Sequence, residues 1–339
     1  MGLFQKTVVG VEAIASGLRV VEVELSRSPK VVSIGEALIP AEEQHHGTGL
    51  DIIAMGGKLD EALATAKPKR ITTRDAYLSV PEDKVFRKIL EIPASVTDAE
   101  LAGVVRSEVS SYLPSELDTM EIDFQVLPRR ANQTSTPERE PKEKKREEKG
   151  SKDEKEEKEE KVAAQPPLYV SVVAVDKQVV HEIIALCEHA KLRPVSIDTR
   201  PAAISRAVVP PKDQNVAIVV EWHGGEAMVA VVERGVVWVT GMTKAGEDTD
   251  VAASAIADEI EHAVKFFTNR TGSSTSISQA YVVSANPDAA ELRKNLEKLM
   301  DGDIAVVEGV PVVALPGTSD TRYAAALGAA LYSLYSTLV

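Results

Sequence analysis

A chain of 339 residues, 44% hydrophobic, has enough apolar material for two or three domains, but with aromatics at 4% its cores must be built from Val, Ala, Ile and Leu. The net charge of −13 argues against nucleic acid as the main partner, since phosphate contacts need clustered Lys and Arg. Cys187 is the only cysteine, which excludes an internal disulfide and fits a reducing compartment, and no apolar run approaches the roughly 20 residues of a membrane helix.

After MGLFQK the apolar stretch is strand-like and is broken by Glu12, which is not a signal-peptide pattern. Residues 8–25, VVGVEAIASGLRVVEVEL, read as a hairpin: two alternating runs around a bend of small residues. Such a bend is one way to bring backbone N–H groups up to a phosphate. KVVSIGEALIP is a third strand, LDEALATAKPK a helix and RITTRDAYLSVP a further strand. The paired histidines of HHGTG (45–49) have no Cys or Asp partner at metal-ligand spacing, so they read as a turn.

Residues 82–128 form a compact unit of strand, helix and returning strand. Its helix opens on Thr97 and Glu100 as a capping box and carries Leu101, Val104, Val105, Val109 and Tyr112 on one face. Residues 138–161 hold 21 charged side chains in 24, 10 basic and 11 acidic, and are expected to be a solvated, disordered excursion. Strand, helix and strand follow, with Asp176 as N-cap and Cys187 on the apolar helix face, where a buried structural thiol is expected rather than a redox one.

Near Gln214 the plan starts again. NVAIVVEW, GEAMVAVVER and GVVWVTGMTK are three strands, followed by the helix of DVAASAIADEIEHAVKFFTNRTG. Strand SQAYVVSAN, helix DAAELRKNLEKLMDG and strand IAVVEGVPV lead to an Ala-rich closing helix, TRYAAALGAALYSLY. Two halves, each a three-strand meander continued as helix, strand, helix, strand, describe an α/β, actin-like (ribonuclease H-like) two-domain fold with an inserted small α+β subdomain. The expected first domain is 1–80 plus 168–212 and 315–339. The insertion is 81–130, the charged excursion 131–167 and the second domain 213–314.

At these residues the chain resembles the family of the type IV pilus assembly protein PilM, actin-like and related to the division protein FtsA. The resemblance is carried by VGVEAIASGLRVVEVEL, by AYLSVPEDKVFRKILEIP with DAELAGVVRSEVSSYLPSELDTMEIDFQVL, by YVSVVAVDKQVVHEIIALCEHAKLRPVSIDTRPAAISRA, and by ADEIEHAVKFF and YAAALGAAL. It implies a cytoplasmic platform protein, peripheral at the inner membrane, that holds the cytoplasmic N-terminal peptide of a PilN-like membrane partner near the inserted subdomain. It also implies ATP in the interdomain cleft. Direct membrane insertion and nucleic acid are not expected, and self-association is left open.

Two phosphate-holding hairpins and an adenosine-supporting turn would form that cleft. The resemblance aligns the first hairpin's Asp with Glu12, its Gly with Ile14, two serine-like positions with Ala15 and Ser16, and a basic residue with Arg19. It aligns the second hairpin's Asp with Glu221 and its Gly with His223, and the adenosine turn's Gly-Gly with Ala285 and Asn286. A β-branched Ile14 held at positive φ would cost roughly 1–2 kcal/mol. The expectation is therefore a degenerate cleft without cofactor, metal or catalytic residue. The alternative is an active ATP-Mg actin-fold ATPase whose nucleotide state controls assembly. A sugar-kinase-like enzyme, or His223 as a catalytic base, fits less well. The partner peptide is expected at the edge strand Lys84–Ile92 through Val85, Arg87 and Ile89, with Leu101 and Val105 as an apolar wall. The competing reading is that this strand is simply paired within its own sheet.

Overall fold

The computed structural model describes residues 6–14, 16–40, 52–127, 167–213, 215–271, 277–300 and 304–335. The charged tract 138–161, the HHGTG segment and Ala15 lie outside the described residues.

Strands β1 (Lys6–Ile14), β2 (Gly17–Leu25) and β3 (Lys30–Leu38) form the expected meander. Helix α1 (Ile52–Thr65) crosses back to β4 (Asp75–Val80), which pairs parallel to β1. The chain then leaves for β5 (Val85–Ile92), α2 (Asp98–Ser110), β6 (Met120–Val126) and β7 (Leu168–Asp176). It returns through α3 (Lys177–His189) to β8 (Arg193–Thr199) and α4 (Arg200–Val208). The second half repeats the plan with β9 (Val216–His223), β10 (Glu226–Glu233), β11 (Val236–Lys244), α5 (Thr249–Thr271), β12 (Gln279–Val283), α6 (Ala289–Leu299) and β13 (Ala305–Glu308). Helices α7 (Ala324–Ala330) and α8 (Tyr332–Tyr335) close the described chain.

The sheet orders are β3-β2-β1-β4-β8 and β11-β10-β9-β12-β13, the same order relative to the chain in both halves. A third sheet, β5-β7-β6, carries the insertion. This corrects the expectation that residues 168–176 belong to the first domain. β7 pairs antiparallel with both β5 and β6, so the insertion is sealed by a strand that arrives only after the charged tract.

Helices α4 and α7 fill the space between the two large sheets, in one apolar cluster with Val8, Val21, Val219 and Ala230. Two glycines permit this. A Cβ on Gly10 of β1 would stand 1.8 Å from the Ala326 carbonyl oxygen, and one on Gly328 of α7 would stand 1.7 Å from that of Ala203. Helices α1 and α3 cover the outer face of the first sheet, where Cys187 is fully buried. Burial pushes that thiol up to about 12, an inert structural cysteine. The second sheet's outer face packs on α5 and α6 around both tryptophans, with Trp238 edge-on to Phe267 at 5.4 Å. The local signals hold: Glu100 accepts from the Thr97 N–H at 3.1 Å, and Asp176 accepts from the Gln178 N–H at 2.7 Å.

Candidate functional site

The site stands where the carboxyl ends of β1 and β9 face each other across α4. Glu12, near the end of β1, is completely buried; Glu221 is the matching residue near the end of β9. Arg200 lies between them. It is the first residue of α4, placed there by the end of β8 and fixed by Pro201 in the first helical turn. Its Nη1 pairs with Glu12 Oε1. Its Nη2 pairs with Glu221 Oε1, and its Nε donates to Glu221 Oε2 at 2.8 Å. Glu221 thus receives a two-pronged guanidinium contact and Glu12 a single one.

The charges continue across the first sheet. Arg19 Nη1 is 3.7 Å from Glu12 Oε2, and its Nε donates to Glu36 Oε1 at 2.9 Å. Arg322 Nη1 donates to Glu36 Oε2 at 3.2 Å, and its Nε is 2.6 Å from Asp320 Oδ2. From Glu221 to Asp320 the signs alternate through seven side chains, so each guanidinium lies between carboxylates.

Burial pushes the Glu12 carboxyl above its ordinary range, outweighing Arg200 and then Arg19. Burial also opposes charge at Glu221, but the Arg200 guanidinium overcomes it and holds that carboxyl below its ordinary range. The two carboxylates in turn raise Arg200 against its own burial.

The structure brings Glu12, Arg19 and Glu221 together through Arg200, a residue the sequence does not single out. Its signal was present: an Arg-Pro pair opening a helix directly after a strand. Two other positions differ. Ile14 is not in the turn; it is the last residue of β1, paired with Gly17, and carries no positive φ. The second hairpin turns at Gly224 and Gly225, with φ of 59° and 75°, so it keeps its glycines one and two positions past His223. His223 itself is exposed, and partial burial with Arg19 nearby lowers its pKa. The Ser16 carbonyl accepts from the Ile39 N–H at 2.8 Å, tying the first turn to the end of β3. Ala285 and Asn286 follow β12, next to the site. Asn286 donates from its backbone N–H to Ser284 Oγ at 3.1 Å and from Nδ2 to Glu247 Oε2 at 3.3 Å.

The five expected partner residues divide. Leu101 and Val105 are buried in the insertion's own core beneath β5 and β7, so they offer no outer wall. Ile89 is buried against the second half. Arg87 donates to Thr199 Oγ1 at 3.1 Å and faces Glu82 Oε1 at 3.6 Å. Val85 is half-buried and, with Lys84, Phe86, Pro114, Ser115 and Met120, lines an open groove of about 280 Å³. β5 has one paired edge, toward β7.

Matched β-meander halves, their hairpins converging on one cleft, define an actin-like fold. Residues 52–190 match the family model described as Type IV pilus assembly protein PilM. The fold superposes on the PilM-PilN type IV pilus biogenesis complex with a TM-score of 0.69 at 16% identity, over 96% of this chain and 98% of that one. The chain therefore resembles PilM in sequence through its middle and in fold along nearly its whole length. Looser likenesses are the cytoplasmic domain of EpsL from the Vibrio cholerae type II secretion system and the ethanolamine utilization protein EutJ from Carboxydothermus hydrogenoformans. The first has a TM-score of 0.46 at 9% identity, covering 98% of this chain and 96% of that one. The second has 0.48 at 14%, covering 98% and 92%. None of the curated proteins matches the chain. Among the described residues no helix is long and apolar enough to cross a membrane.

Proposed function

We propose that this chain is a non-catalytic, PilM-like scaffold of a type IV pilus or related secretion platform, with its nucleotide cleft closed by its own side chains. It works in the cytoplasm and reaches the inner membrane by holding the N-terminal peptide of a PilN-like partner. The observation that carries the reading is Arg200 between Glu12 and Glu221. In a working cleft those two carboxylates would face a metal and its water. Here a guanidinium joined to both takes the place of a divalent cation, so the residues present do not fit ATP-Mg. Glycines at the second turn weaken an argument from blocked turns, and the reading rests on the filled carboxylates instead. The three-part division into two actin-like domains and an insertion goes with this reading.

For the partner, the groove beside Val85 and Phe86, which Met120 and Asp176 also line at the end of the β5-β7-β6 sheet, suits a short extended peptide, and among the described residues β5 keeps a second edge open to main-chain pairing. Calorimetric titration of the full chain tests both halves. ATP-Mg at about millimolar concentration should give no heat and no thermal shift, and a Kd of about 1 μM, some 8 kcal/mol of binding, would promote the ATPase reading. The partner peptide should bind, and Val85→Asp should abolish that binding; unchanged affinity would remove the groove from the interface.

A further inference from the structure

The end of the first sheet opposite the cleft collects cations. Strands β1, β4 and β8 run parallel and begin there, β2 ends there and β3 begins there. Helices α1 and α3 run back toward it. Lys6 opens β1, and Arg27 and Lys30 flank the turn into β3. The link from α1 to β4 adds Lys67, Lys69, Arg70 and Arg74. Lys191 follows α3 and Arg193 opens β8. Every one of these cations is exposed.

Few acids answer them. Asp75 is half-buried and shared by Lys6, 3.9 Å away, and Arg193, whose Nε donates to it at 2.9 Å. The other acids in these segments are Glu24, Glu188 and Glu22, which is buried and accepts from Thr73 Oγ1 at 2.6 Å. In a chain of net charge −13 this is a local reversal of sign. The C-terminal ends of α1 and α3 attract cations, but two helix ends account for only a few of them. The contrast with the cleft end is direct: there each guanidinium lies between carboxylates, and here most cations face solvent.

We propose that this end of the sheet is a docking surface for anionic phospholipid headgroups. Five strand ends spaced about 4.8 Å apart make a rim about 20 Å wide. A planar anionic surface can engage all of it, and cations within about a Debye length of that surface act together. Val195, 44% exposed on β8, adds an apolar contact beside the rim. Nucleic acid is the weaker fit. The aromatic residue in the strands at this end, Tyr77, is 3% exposed and cannot stack on a base. The proposal does not depend on any partner.

The test is co-sedimentation of the full chain, without partner, on phosphatidylglycerol/phosphatidylcholine vesicles and on pure phosphatidylcholine vesicles. Among the described residues Arg27, Lys69, Arg70 and Lys191 form no ion pair, so Arg27→Glu, Lys69→Glu, Arg70→Glu and Lys191→Glu together should keep the fold. The wild type should bind only the anionic vesicles, and binding should fall at least tenfold as salt rises from about 0.05 to 0.5 M. The quadruple variant should bind at least a hundredfold more weakly, and the set Arg27→Lys, Lys69→Arg, Arg70→Lys, Lys191→Arg should bind as wild type. Equal binding to both vesicle types, no anionic binding at low salt, or full binding by a folded quadruple variant would overturn the proposal. So would a 30-mer duplex DNA that binds more tightly than the anionic vesicles. If the quadruple variant is unfolded by circular dichroism, the wild-type lipid and salt comparisons decide.

Discussion

Glu12 and Glu221 occupy equivalent places in two sheets of the same strand order, yet their carboxyls are driven in opposite directions. The sheets are matched; the supply of charge is not. The first half continues from β8 straight into a helix that begins with Arg200, whereas the second half continues from β13 into Gly309 with no basic residue at that step. One half therefore provides the cation for both. The guanidinium gives its two-nitrogen fork to Glu221 and one nitrogen to Glu12, and that geometry, not the position in the fold, accounts for the opposite directions of the two carboxyls.

Removing the shared cation breaks the comparison outright. Arg200→Ala leaves two carboxylates facing each other without the group that joined them, and should cost about 3–5 kcal/mol in urea unfolding at neutral pH. Arg200→Lys should recover only part, because an ammonium cannot reproduce the fork. A loss below about 1 kcal/mol for Arg200→Ala would mean that the clamp does not hold the halves.

Neutralising each carboxylate sharpens the asymmetry. Glu221→Gln forfeits a charge-assisted, two-pronged contact and should cost about 1.5–3 kcal/mol. Glu12→Gln should cost less, since Glu12 receives a single guanidinium nitrogen and burial leaves its carboxyl above the ordinary range. The reverse order would contradict the assignment of the fork.

The two sites also differ in the sign of their pH dependence. Glu221 is depressed, so its contribution is present above the ordinary 4.5 and lost as pH falls through its lower folded value. Glu12 is raised, so its contribution is present below 4.5 and lost as pH rises through its higher folded value. Urea midpoints measured across that range should show Glu12→Gln gaining on the wild type as pH rises.

The smallest effect belongs to His223. Its pKa is lowered, so stability should decline as pH falls from 6.5 toward the folded value, and His223→Asn should flatten that decline. An unchanged thermal profile between pH 7 and pH 5 would leave His223 without electrostatic influence on the cleft.

What was readable in the sequence was local. Alternation found the strands, caps found α2 and α3, and the repeated meander gave the two matched sheets. What was missed needed partners distant in sequence. β7 reads as the start of the next unit because nothing local says that it closes the previous sheet across the charged tract. Leu101 and Val105 read equally as wall or core, since an amphipathic face does not name what covers it. The resemblance aligns Ile14 with a turn glycine, whereas the hairpin register makes it the last residue of β1, paired with Gly17. Arg200 was visible only as a residue before a proline, because its meaning depends on carboxylates contributed by two other strands.

The close approach of β1 to α7 sets an order of events during synthesis. Ala326, whose carbonyl lies against Gly10, leaves the ribosome about three hundred residues after it. At roughly 5–20 residues per second the interval is about 15–60 s. Until α7 emerges, the inner face of the first sheet, with Val8 and Val21, lacks one of the two helices that cover it. Nascent chains arrested before Ala324 should therefore remain sensitive to protease across β1–β3, and those arrested well past Ala330 should be resistant. The first sheet, although first in the chain, is thus finished only after the whole second sheet has been made.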